Sequence, residues 1–119
     1  MKVPDRRQLG QQMDKELREL QDTIGTYLLS SKYKCSFGVD IATTKGMMLS
    51  FLGISAHVWS ANGKRIHVFG LDLVELQERH SAAYVHKTFT ETLKKFGLNE
   101  AKTLRVVTDC GRNMINAFL

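Results

Sequence analysis

At 119 residues with 43% hydrophobic content, the chain has material for one domain with one core and none for a second. Seventeen Lys and Arg against twelve Asp and Glu give a net charge of +5, which is compatible with a nucleic-acid partner without establishing one. No apolar run approaches the length of a membrane span, and the start Met-Lys-Val-Pro-Asp-Arg-Arg lacks the apolar core of a signal peptide, so we expect an intracellular protein with no membrane contact.

The first element follows Pro4 and Asp5. Leu9, Met13, Leu17, Leu20, Ile24 and Leu28 recur at spacings of four, four, three, four and four, which predicts an amphipathic helix ending near Ser30, Ser31 and Lys32. Arg7, Gln11, Lys15, Arg18 and Asp22 fall off the stripe. The stripe needs a partner surface, either the chain's own sheet or a helix of another chain, and we expect residues 1–34 to pack on the sheet.

Cys35-Ser36-Phe37-Gly38-Val39-Asp40-Ile41 reads as a first apolar strand with one carboxylate in it. Ala42-Thr43-Thr44-Lys45-Gly46 follows as a polar turn, in which Thr43 and Thr44 are turn residues or help to bind a phosphate or a metal-bound water. A long strand is predicted from about Met48 to Trp59. The turn Ser60-Ala61-Asn62-Gly63 carries the Asn-Gly hairpin signal, and a partner strand is expected from Lys64 to about Leu73. We expect Phe51 and Trp59 to pack. His57 and His67 are spaced to face each other across the turn, as two polar residues on a solvent face or around a metal.

From about Glu75 to Phe96, Leu76, Ala83, Val85, Phe89, Thr92, Leu93 and Phe96 keep a helical period, and Gly97 supplies the stop. Leu104, Val106 and Val107 then form a strand expected to be buried. It ends at Thr108-Asp109-Cys110-Gly111-Arg112-Asn113-Met114, where Asp109 marks the strand's carboxyl end, and Asn113 to Leu119 reads as the start of another helix. The order strand, hairpin, helix, strand predicts a parallel crossover with the last strand beside the first, so that Asp40 and Asp109 become neighbours whose repulsion favours a hard divalent cation such as Mg2+. Neither cysteine has zinc spacing. In that arrangement Cys35 and Cys110 sit near opposite ends of the sheet, roughly 20 Å apart, too far for a disulfide.

Several of these segments, in this order, resemble one family. Pro4-Asp5-Arg6 before the helix, Lys32-Tyr33 leading into Phe37 to Thr44, Phe51-Leu52-Gly53-Ile54-Ser55-Ala56-His57, His80-Ser81-Ala82 and Val107 to Met114 resemble the hAT superfamily of cut-and-paste DNA transposases and the host proteins derived from them. The resemblance implies that residues 35–119 are the first part of an RNase H-like α/β domain, with a mixed sheet of an antiparallel hairpin plus a parallel last strand, an N-terminal amphipathic helix and one crossover helix. It implies that Asp40 and Asp109 are the first two carboxylates of a DDE triad, binding Mg2+ or Mn2+ that activates a water or a DNA hydroxyl. Ala42 stands where the family usually has Trp, and Cys110 replaces the usual Asn. The third carboxylate lies far downstream in the family, and residues 110–119 contain no acid, so we expect no cleavage by these residues alone.

The resemblance also implies a nuclear protein. In the parent enzyme the partner is DNA; in a domesticated descendant the fold binds proteins or chromatin. Lys45, Lys64, Arg65, Lys94, Lys95, Arg105 and Arg112 are scattered, and of these Lys45 and Arg112, together with Thr43 and Thr44, stand near the aspartates in sequence and are the candidates for phosphate contact. If the sheet ends at the last strand, its outer edge is unpaired and one face lacks covering helices, which predicts a homo-oligomer formed through that edge.

Overall fold

The structure is a computed structural model that describes residues 3, 5–44, 46, 49–77, 81–108 and 112–118, with the side chains of residues 112 and 113 excepted. Its elements are α1 (Arg6–Ser30), β1 (Cys35–Thr43), β2 (Ser50–Trp59), β3 (Ile66–Glu75), α2 (Ala82–Lys95), a 3-10 turn (Glu100–Lys102), β4 (Thr103–Thr108) and α3 (Arg112–Ala117). The four strands form one mixed sheet in the order β3-β2-β1-β4. The first three are antiparallel neighbours and β4 runs parallel to β1, as expected for a chain that crosses over through α2.

Alternation along the strands gives the sheet one covered face and one open face. Cys35, Phe37 and Val39 of β1 and Leu52, Ile54, Ala56 and Val58 of β2 are buried, and with Val85, Phe89 and Leu93 of α2, Leu28 of α1 and Met114 of α3 they make a single core. Edge-to-face contacts order its centre: Phe37 meets Phe89 at 5.5 Å between ring centroids, and Phe89 meets Phe118 at 5.0 Å.

Local chemistry sets the helix limits. Asp5 caps α1 through a capping box, its carboxylate accepting from the Gln8 N–H at 2.8 Å while Gln8 accepts from the Asp5 N–H at 3.2 Å. Ser81 caps α2 by accepting from the Tyr84 N–H at 3.1 Å. The predicted helix therefore starts later than Glu75, which closes β3, although Leu76 is buried as its period required. At the other end Gly97, at φ +71°, lets its own N–H and that of Leu98 turn back onto the carbonyls of Lys94 and Leu93.

Other expectations need correction, among them the packing of Trp59, which is exposed. The stripe of α1 reaches the body only at its end: Gly25 lies against the Phe96 carbonyl, Leu28 is buried, and Tyr27 meets the rings of His67 and Phe69 at 5.9 and 5.6 Å. Leu9, Met13, Leu17 and Leu20 are exposed. The last strand is not buried on both faces, since β4 is an edge strand and Leu104 and Val107 are exposed. The hairpin loop is also longer than the Asn-Gly signal implied. Trp59 pairs with Ile66, which leaves residues 60–65 as the loop and sets His57 opposite Val68 and His67 opposite Val58. A change of one residue in register exchanges faces, so the two histidines lie on opposite sides of the sheet and cannot share a metal.

Candidate functional site

The open face is built by the even-numbered positions of β1 and the odd-numbered positions of β2. Ser36, Gly38 and Asp40 stand beside His57, Ser55 and Gly53 respectively. Gly38 brings no side chain, and a hollow of about 530 Å³ opens over this part of the sheet. Ser36 and Asp40 of β1, Trp59 and Ile66 of the hairpin, and Leu104 and Val107 of β4 line it.

Its polar lining includes Asp40 and the pair Ser55 and His57. Asp40 is exposed because alternation turns it away from the core that Val39 enters, and its neighbour across the ladder is the bare Gly53. Ser55 and His57, two residues apart on β2 and therefore on one face, are joined by a hydrogen bond of 3.1 Å between Oγ and Nε2. Gly38 makes that pair possible, because a Cβ there would stand 2.8 Å from Ser55 Oγ and 3.5 Å from His57 Nε2. Asp40 and His57 occupy rows four residues apart along the ladder, roughly 13 Å at the usual strand rise, so they cannot act on one reacting atom. Ser55 and His57 had a sequence signal in their shared alternation, which pairing His57 with His67 obscured.

Of the residues expected to form a phosphate or metal site, the structure describes the side chains of Asp40, Thr43 and Thr44. The Thr43 hydroxyl bonds to Ser50 Oγ at 3.0 Å, and Thr44 donates to the Leu49 carbonyl from its N–H at 2.8 Å and from its hydroxyl at 3.3 Å. Both threonines close the β1–β2 connection. Lys45, Asp109 and Cys110 lie outside the described residues, as does the side chain of Arg112, whose backbone begins α3. In β4, Thr108, the residue before Asp109, is in parallel register with Val39, the residue before Asp40.

Among the described residues no three His, Cys, Asp or Glu side chains gather where a metal ion could be held. The other candidate cations sit apart: Lys64 and Arg65 in the hairpin loop, Arg105 on β4, Lys94 and Lys95 in the last turn of α2. Lys95 is engaged by Asp72 at 3.2 Å. Among the described residues no helix is long and apolar enough to cross a membrane. Burial pushes the thiol of Cys35 above its ordinary pKa, and the Lys102 ammonium offsets this only in part, so this cysteine is a core residue and no nucleophile.

No family model matches the chain, and no curated protein matches it either.

Proposed function

We propose that this chain is the first part of the RNase H-like domain of a hAT-type DNA transposase, carrying two of three catalytic carboxylates and not cleaving DNA by itself. The observation that carries the reading is the parallel register of Val39 with Thr108, each of which directly precedes one of the two aspartates. The sheet order β3-β2-β1-β4, with the hairpin antiparallel and the crossover strand parallel, is the arrangement the reading requires. Asp40 offers hard oxygen donors on the open face, which suits Mg2+ or Mn2+, and Asp109 is the second ligand in this proposal. A bound divalent cation supplies Lewis-acid activation of a water or hydroxyl and stabilises the leaving oxygen. Lys45 and Arg112 would hold phosphate oxygens of DNA in the nucleus, with binding that is indifferent to sequence and weakens steeply with salt.

Mn2+ titration followed by NMR tests this. Selective broadening of the amides around Asp40 that Mg2+ reverses, and that Asp40→Asn abolishes, is the expected result; broadening spread over all surface carboxylates would sink the reading. The same preparation should leave supercoiled plasmid uncut in either metal, and nicking that Asp109→Ala removes would overturn the claim of inactivity.

A second reading has its own observation. Trp59, Ile66, Val68, Leu73 and Val107 are exposed and apolar. Such a face favours a domesticated descendant that uses the fold to bind nuclear proteins or chromatin without catalysis. In that case the Asp40 amides do not respond to Mn2+ and an apolar partner protects the face.

A further inference from the structure

We propose that the projecting part of α1 pairs antiparallel with the same segment of a second copy of this chain. This pairing rests on α1 alone and is independent of the transposase reading.

Residues 6–20 of α1 are exposed without exception, and the helix is first seated in the body at Ile24, Gly25 and Leu28. A segment of this length is marginal as a helix in water by itself, and here it also carries Gly10, so its helicity needs a surface to lie against. Its one apolar face is Leu9, Met13, Leu17 and Leu20, which are 48% to 61% exposed. These four are spaced four, four and three, a hendecad repeat of 3.67 residues per turn. Over this single span the face drifts little around the axis, and two such helices stay in contact along it with a slight right-handed supercoil.

Charge selects the occupant and its direction. Arg6 to Gln12 holds two cations and no anion, whereas Asp14 to Asp22 holds Asp14, Glu16, Glu19 and Asp22 against Lys15 and Arg18. The helix is therefore positive at its start and negative further along, and it complements itself only when reversed. Antiparallel pairing sets Leu9 opposite Leu20 of the second copy and Met13 opposite Leu17, and it also opposes the helix dipoles favourably. It further puts the two bodies at opposite ends, where parallel pairing would crowd both sheets and their covering helices at the one end where α1 is seated. An isologous contact of this kind closes on itself as a dimer.

Sedimentation velocity on the full chain tests the pairing. We expect a species of twice 13.5 kDa that the double substitution Met13→Glu with Leu17→Glu weakens by at least about tenfold. Both side chains are exposed, so the melting of the body should be unchanged. A monomer at hundreds-of-micromolar concentration, or a dimer untouched by the two glutamates and thus held elsewhere, such as at the edge of β4, overturns the proposal. Direction is read by mixing Leu9→Cys chains with Leu20→Cys chains under mild oxidation, with the wild-type chain as control. Cross-linking in the mixture alone is expected, and cross-linking of each variant with itself would mean parallel pairing.

Discussion

Gly25 sits where α1 touches the end of α2, and a Cβ at that position would overlap the carbonyl of Phe96. Backbone cannot yield as a flexible side chain does, so the helix must shift outward and Leu28 loses part of its seat. Gly25→Ala should lower stability by about 1–3 kcal/mol despite the better helix propensity of alanine, measured by denaturant unfolding. Cys35 gives a prediction of a different kind. Its folded-state pKa is raised by burial, so the folded chain holds this proton more tightly than the unfolded one. Its contribution to stability is complete below the unfolded value near about 8.5 and is lost as pH rises from there through the folded value. Between about pH 8 and 10 the melting temperature of the wild type should fall more steeply than that of Cys35→Ala. The buried place of Cys35 was legible, because it opens an alternating strand. The closeness of Gly25 to Phe96 was not, because nothing local in either segment marks a contact 71 residues away in the chain.

The hairpin shows what local pattern does and does not decide. Its two strands and its Asn-Gly were legible, and Gly63 does take the left-handed conformation, at φ +70°. The register was not. The Asn62 carboxamide accepts from Ser60 Oγ at 2.6 Å and from the Lys64 N–H at 2.9 Å, and the Ser60 N–H bonds to the Arg65 carbonyl at 2.7 Å, closing a loop over residues 60–65 in place of the expected turn over residues 60–63. Those bonds compete with the tight turn and win, and the histidines part company as a result. Asn62→Ala removes two of them at an exposed site and should cost about 1 kcal/mol in urea unfolding, without exchanging the faces of His57 and His67. For α2 the period located the core residues Val85, Phe89 and Leu93, while its start was obscured because Glu75 and Leu76 happen to continue the same period. The Ser81 cap marks where the helix starts.

At the scale of the molecule, the crossover through α2 sets β4 beside β1, and the helices gather on one side of the sheet. The aspartate pair illustrates the limit of sequence reading at this scale. Topology predicted the parallel neighbour and the structure has it, whereas Asp109 itself lies outside the described residues. The same topology leaves Trp59, Ile66, Val68, Leu73 and Val107 bare on the opposite face, and the small residues Gly38, Ser55 and Gly70, which follow one another across β1, β2 and β3, form its floor. An apolar patch with a concave centre takes up amphiphilic dyes even when the chain is fully folded. We expect the native protein to bind anilinonaphthalene sulfonate and Val68→Thr with Val107→Thr to reduce that binding severalfold. Threonine keeps the branching that suits a strand, so thermal stability should change by less than about 1 kcal/mol. Because α1 lies away from this face, the glutamates at positions 13 and 17 should leave the dye signal unaltered. Dye uptake that rises only across the unfolding transition would mean the face is covered in solution, and the second copy would then have to lie on the sheet as well as on the helix.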